Sequence, residues 1–61
     1  MALEILIVDD EADIRALVAG VLGDEGYRTL EAANSDEALA QIATHRPSLV
    51  LLDIWLHDSE L

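Results

Sequence analysis

The sequence lacks cysteine, lysine and phenylalanine, and it contains a single proline. Without cysteine the chain can form no disulfide bond, which predicts a reducing, cytoplasmic setting. Without lysine the only cations are three arginines, which face 13 aspartates and glutamates and leave a formal net charge of −10. The chain therefore offers no basic surface for nucleic acid or for an anionic membrane, whereas divalent cations and basic partner surfaces suit it.

Long hydrophobic runs are also absent. The first run, residues 3–8, is too short to span a bilayer and lacks the basic start of a signal peptide. A chain of 61 residues forms one small domain at most, and a domain of this size buries only about 60% of the surface that its unfolded form exposes. Because 52% of the residues are hydrophobic, apolar surface is expected to remain exposed and to favour contact with a partner.

The hydrophobic pattern predicts five elements in the order β-α-β-α-β. Apolar runs predict inner strands at about 3–8 and 49–53, and polar–apolar alternation predicts an outer strand at 28–32. Apolar residues at helical spacing predict helices at about 12–24 and 35–45. Asn34 followed by Glu37 resembles a capping box at the start of the second helix, which Pro47 prevents from continuing. Right-handed crossovers then give an α/β fold with a parallel three-stranded sheet in the order 2-1-3.

Each helix is predicted to bury one apolar face. In the first helix this face consists of Ile14, Leu17, Val18, Val21 and Leu22. In the second helix it consists of Ala38, Leu39, Ile42 and Ala43. Among the charged residues, Glu11 and Arg15 are four apart and are expected to form an exposed ion pair.

Three carboxylates end two strands that are predicted to be neighbours. Asp9 and Asp10 follow the first strand, and Asp53 ends the third. In the order 2-1-3 the carboxyl ends of these strands lie side by side, at the position where ligands bind in open α/β sheets. Carboxylates in one crevice repel each other, and Mg²⁺, which prefers oxygen ligands and accepts phosphate oxygens, relieves the repulsion. A carboxylate beside the metal can act as a nucleophile toward phosphorus.

Each acidic residue taken singly has a simpler interpretation. Asp9 and Asp10 are suited to capping a helix, and Asp53 is suited to an ordinary turn at the end of a strand. The conjunction of an acidic pair after one buried strand and an Asp after its neighbour favours a metal and phosphate site. All three arginines (Arg15, Arg28 and Arg46) are expected to lie outside this crevice.

Residues 5–11 (Ile-Leu-Ile-Val-Asp-Asp-Glu) and 49–54 (Leu-Val-Leu-Leu-Asp-Ile) resemble the two acidic motifs of response-regulator receiver domains. The resemblance implies a flavodoxin-like fold, of which residues 1–61 would be the truncated N-terminal half. It also implies that a sensor histidine kinase phosphorylates Asp53. Asp10 would bind Mg²⁺ directly and Asp9 through water, with Asp53 and the backbone carbonyl of Trp55 as further ligands. The Asp-Ile-Trp-Leu stretch resembles the nitrogen-regulation branch of NtrX type.

The sequence departs from the family pattern in two ways. Leu56 and His57 stand where family members usually have Met-Pro. The Ser or Thr and the Lys that contact the phosphoryl group in the family follow later strands, and this chain supplies neither. The resemblance therefore implies Mg²⁺-dependent phosphoryl acceptance on aspartate rather than conventional enzyme activity, without the family's switch surface. Trp55 would either shield the metal site or cover apolar surface, and the sequence leaves both possibilities open.

A second functional class follows from the third strand, 49–53, which is central in the family fold and forms an edge in this chain. An uncharged apolar edge invites pairing with another chain, so the sequence also predicts a homodimer formed through this strand. In that case the chain would be a structural or interaction fragment with an idle acidic site. A dinucleotide-binding fold is disfavoured because residues 9–14 contain no glycine-rich turn.

Overall fold

Three strands and two helices alternate along the chain in the computed structural model, which describes residues 3–52. In chain order they are β1 (Glu4–Val8), α1 (Ala12–Asp24), β2 (Arg28–Ala32), α2 (Ser35–His45) and β3 (Leu49–Leu52). The predicted order of elements and the predicted bounds of both helices are confirmed. Residue 53, the predicted end of the third strand, lies outside the described residues.

The strands form one parallel sheet in the order β2-β1-β3, as the crossover rule predicts. β1 is central because it is apolar on both faces: Ile5 and Ile7 point to one side, Leu6 and Val8 to the other, and all four are buried. The register fixes the relative position of the strand ends. Val8 pairs with Ala32 on one side and with Leu52 on the other, so all three strands end at the same level.

The hydrophobic core lies between the sheet and α2. It is formed by Leu6, which is completely buried, together with the buried residues Val8, Ala32 and Ala38. Half-buried hydrophobic residues of the two outer strands pack against it, namely Leu30 and Val50. Small residues at positions 32 and 38 allow α2 to approach the sheet closely. The core is therefore centred on one large side chain, that of Leu6.

The start of α2 has the predicted capping box in a slightly shifted form. The amide of Glu37 donates to Asn34 Oδ1 at 2.9 Å, which satisfies a helix N–H that has no partner within the helix. In return, Glu37 Oε1 accepts from the amide of Ala33 at 2.8 Å rather than from that of Asn34. At the other end the helix closes on Arg46, which adopts the left-handed conformation with φ = 50°. These local contacts define the two ends of α2.

The predicted inner faces of the helices were largely wrong. Ala38 is buried, and Val18 and Leu22 are half-buried. The remaining residues of the two predicted faces are exposed, namely Ile14, Leu17, Val21, Leu39, Ile42 and Ala43. The reason is the width of the sheet: both helices lie over β1 and β2, and no Cα atom of either helix is within 8 Å of a β3 Cα atom. Three strands are too few to cover both helix faces.

Candidate functional site

Asp9 directly follows the central strand and is buried, with 6% of its surface exposed. Its amide donates to the carbonyl oxygen of Ala32 at 3.0 Å, which extends the pairing with β2 by one residue. Its carboxylate Oδ1 accepts from the amide of Glu11 at 2.9 Å, a contact that turns the chain out of the sheet. The N-cap of α1 is Glu11, whose side chain makes no capping hydrogen bond. Asp9 therefore shapes the turn before the helix, and the helix-capping interpretation is wrong for this residue.

Asp10 is the exposed member of the pair and lies in the bend between β1 and α1. One residue of the pair is thus buried, with its carboxylate held by a backbone amide, and the next residue is exposed. Burying a carboxylate is costly unless it is hydrogen-bonded or faces a cation. Both residues sit at the carboxyl end of the strand that has neighbours on both sides, where ligands bind in open α/β sheets.

β3 ends beside the acidic pair. Val8, the residue before Asp9, pairs with Leu52, the residue before Asp53 in the sequence. Asp53 and Trp55, which the resemblance assigns to the site, lie outside the described residues. Within 3–52, no three Asp, Glu or His side chains are grouped so that they could hold a metal ion. The predicted ligand set therefore remains a prediction, of which the structure places Asp9 and Asp10.

Arg15 contacts the backbone of the acidic pair, a contact that the sequence did not predict. Its Nη1 donates to the backbone carbonyl oxygen of Asp9 at 2.6 Å. Its Nε lies 3.2 Å from Oε1 of Glu31, with which it forms an ion pair. The predicted pair with Glu11 was wrong, because the packing of α1 against β2 brings Glu31 within reach of the guanidinium group. One cation is therefore held next to the acidic pair.

Glu31 was missed by the sequence reasoning, and it joins three elements. Its carboxylate binds Arg15 of α1, and its backbone carbonyl accepts from Nε2 of Gln41 of α2 at 3.2 Å. The sequence contained a weak signal: Thr29 and Glu31 put polar residues on the face of β2 that is shared with Ile5 and Ile7. A charged residue on the face of the sheet that α1 covers is favoured by a partner of opposite charge on that helix. Arg15 is the one basic residue of α1.

A family model described as the response regulator receiver domain matches residues 5–60. The chain belongs to this family. Asp9 and Asp10 lie at the carboxyl end of its central strand. Neither α1 nor α2 has the length and apolar composition that crossing a bilayer requires.

Relatives of this receiver chain include the nitrogen assimilation regulatory protein NtrX of Azorhizobium caulinodans, which is 61% identical over the whole chain. The crystal structure of NtrX from Brucella abortus matches the whole chain with a TM-score of 0.86 and 59% identity. The chain spans 13% of the first protein and 14% of the second. Sporulation initiation phosphotransferase F of Bacillus subtilis is 51% identical over 84% of the chain, which spans 41% of that protein. The similarity to the NtrX branch is confirmed.

Proposed function

We propose that this chain is a phosphoacceptor module in which a sensor histidine kinase phosphorylates Asp53 while Asp9 and Asp10 hold Mg²⁺ beside it. Receiver domains of response regulators are phosphorylated by such kinases. The observation that carries the proposal is the parallel register of β1 and β3. Val8 pairs with Leu52, so the residues that directly precede Asp9 and Asp53 in the sequence lie at the same level of two adjacent strands. We further propose that residues 1–61 correspond to the N-terminal half of a receiver domain.

The donor chemistry of the acidic pair fits Mg²⁺. This ion prefers oxygen ligands, usually takes one or two protein carboxylates and retains several waters. Asp9 presents a buried carboxylate that the amide of Glu11 already orients, and Asp10 adds a second carboxylate from an exposed residue. We assign direct binding to Asp10, binding through water to Asp9, and further contacts to Asp53 and the Trp55 carbonyl. When bound, Mg²⁺ supplies positive charge that screens the incoming phosphoryl group.

The proposed chemistry is a displacement at phosphorus. A carboxylate oxygen of Asp53 attacks the phosphorus atom of the donor and forms a new P–O bond. The bond between phosphorus and the donor atom breaks, and the leaving group keeps its electron pair; with a histidine kinase this group is an imidazole nitrogen. The product is an acyl phosphate on Asp53. The direct test is the intact mass of the chain after incubation with a small phosphodonor and Mg²⁺.

The metal site is tested by titrating Mg²⁺ while the fluorescence of Trp55, the single tryptophan, is recorded. We expect a saturable response in the wild-type chain. Asp10→Ala and Asp53→Asn should weaken apparent Mg²⁺ affinity by at least about tenfold, because even residues that only support a ligand contribute 10–100-fold.

The matched control is Asp24→Ala. Asp24 ends α1 and is separated from the acidic pair by the length of the helix, so this variant removes the same charge and should leave the titration unchanged. A response that is equal in the wild type, Asp10→Ala and Asp53→Asn would dismiss the site and favour an idle acidic pair.

A second proposed property is self-association through β3, and the exposed edge of the sheet favours it. Three of the four β3 side chains are exposed: Leu49 by 51%, Leu51 by 37% and Leu52 by 68%. The opposite edge strand, β2, carries Arg28 and Glu31, and the side-chain amide of Gln41 donates a hydrogen bond to the backbone carbonyl of Glu31. Charged and covered edges resist pairing with another chain, whereas flat apolar edges promote it. Two copies of the chain are therefore expected to pair through β3.

Light scattering and sedimentation at micromolar concentration test this dimer. We expect the wild-type chain to run as a dimer and Leu49→Lys to run as a monomer, because a charge on an edge strand opposes pairing. Leu39→Lys is the matched control, since Leu39 is an equally apolar side chain on α2 that is 65% exposed. A well-folded wild-type monomer, or dissociation by both substitutions alike, would contradict pairing through β3.

A further inference from the structure

We infer that Arg15 is a positioning residue that fixes the Asp9–Asp10 turn in the shape that binds the cation; this inference rests on the proposed Mg²⁺ site. All three polar groups of Asp9 are engaged. Its amide binds the Ala32 carbonyl, its carboxylate binds the Glu11 amide, and its carbonyl accepts from Arg15 Nη1 at 2.6 Å. Arg15 therefore holds the one backbone group of Asp9 that neither the sheet nor the turn engages.

Holding this carbonyl also constrains Asp10. The peptide bond is planar, so the carbonyl of Asp9 and the amide of Asp10 belong to one rigid unit. When Arg15 fixes the direction of the carbonyl, it fixes the plane from which the Cα of Asp10 extends. Mg²⁺ demands nearly ideal octahedral geometry, so rotation of this peptide plane would displace a ligand. A side chain five residues further along the sequence thus controls where the exposed carboxylate lies.

Arg15 is itself held firmly enough for this role. Its side chain is 17% exposed, and its Nε binds Glu31 Oε1 at 3.2 Å while its Nη1 binds Asp9. The planar guanidinium presents its donors in a fixed fork, so two simultaneous contacts define its orientation. Glu31 is part of β2, and its carbonyl binds Gln41 of α2. The contacts of Arg15 and Glu31 therefore connect the Asp9–Asp10 turn to both helices and to β2.

Charge and geometry predict opposite results for removal of Arg15. A positive group beside a divalent cation repels it, so loss of the charge alone would strengthen Mg²⁺ binding. Loss of the hydrogen bond to the Asp9 carbonyl frees the peptide plane and weakens binding. We expect geometry to dominate, because the guanidinium charge is already paired with Glu31.

The test uses four ¹⁵N-labelled chains: wild type, Arg15→Met, Arg15→Lys and Arg28→Met. Arg15→Lys keeps the charge but replaces the fork by a single point donor. Arg28→Met removes the same charge at the amino end of β2, where Arg28 pairs with Glu4, away from the acidic pair. Mg²⁺ is titrated while the amide signals of Asp9 and Asp10 are followed, and the spectra without metal are compared.

We expect Mg²⁺ to bind about tenfold more weakly to Arg15→Met, at the lower end of the range for residues that support a metal ligand. We expect a smaller loss of about threefold for Arg15→Lys, because this variant keeps the charge and one donor but not the fork. Arg28→Met should bind as the wild type does. Without metal, the Asp10 amide signal should shift in both Arg15 variants and not in Arg28→Met. A role of Arg15 in stability alone would not produce this local shift. If Arg15→Met does not fold, the Mg²⁺ affinity of Arg15→Lys tests the inference instead.

Three outcomes would overturn the inference, and they are distinguishable. If the wild type binds Mg²⁺ and Arg15→Lys binds it equally well, Arg15 does not position the turn, and the proposed function is unaffected. If the wild type shows no Mg²⁺ response in any amide signal, the proposed metal site fails and the role of Arg15 toward a cation fails with it. Tighter binding by Arg15→Met would show that charge, rather than geometry, dominates.

Discussion

Incubation with a small phosphodonor and Mg²⁺ is expected to add one phosphoryl group to the wild-type chain and none to Asp53→Asn. The amide oxygen of Asn is a far weaker nucleophile than a carboxylate, so the substitution removes the attacking group while nearly preserving its size. Intact-mass spectrometry at mildly acidic pH, where an acyl phosphate survives handling, measures the addition directly. This is the largest effect we predict, because it is all or none.

Two controls make the phosphorylation experiment specific. Asp24→Asn removes another aspartate that lies at the end of α1, and it should accept the phosphoryl group as the wild type does. Chelation of the divalent metal should suppress the addition, because the acidic pair then repels the incoming phosphoryl group. Equal addition to the wild type and to Asp53→Asn would assign the acceptor to another residue and would contradict the proposed function.

Leu6→Ala is expected to unfold most of the chain at 25 °C. Leu6 is the completely buried side chain at the centre of the core, where Val8, Ala32 and Ala38 surround it. Replacing a buried Leu by Ala costs about 2–5 kcal/mol. A single core in so short a chain rarely supplies more than about 3–5 kcal/mol, so the loss is comparable with the whole free energy of unfolding. Urea titration followed by circular dichroism at 222 nm measures it.

The control for this prediction is Leu39→Ala, which makes the same chemical change at a side chain that is 65% exposed. Substitutions of this kind at the surface usually change the free energy of unfolding by less than about 0.5 kcal/mol. A Leu6→Ala chain with the same urea midpoint as the wild type would show that the core between the sheet and α2 does not carry the stability of the fold. The Mg²⁺ response should disappear together with the helical signal, because β1 positions the acidic pair.

The elements of this protein were determined by the sequence alone, because their signals are local. Alternation, helical spacing and the Asn34–Glu37 capping box define each segment through neighbours within four residues, and the structure reproduces the helix bounds. The central place of β1 also follows from local information, since a strand that is apolar on both faces must be covered on both. Because Asp9 and Asp10 directly follow β1 in the sequence, their position at the end of the central strand follows from the same prediction.

Tertiary structure alone decided which partners the side chains near the site have. Arg15 binds Glu31, 16 residues away, rather than Glu11 four residues away, because the packing of α1 on β2 decides which carboxylate is within reach. The exposure of Leu17 and Leu39 likewise depends on how far a three-stranded sheet extends beneath each helix, and the burial of Asp9 depends on the strands that flank β1. Periodicity gives the apolar face of a helix, but it carries no information about whether another surface is present to cover that face.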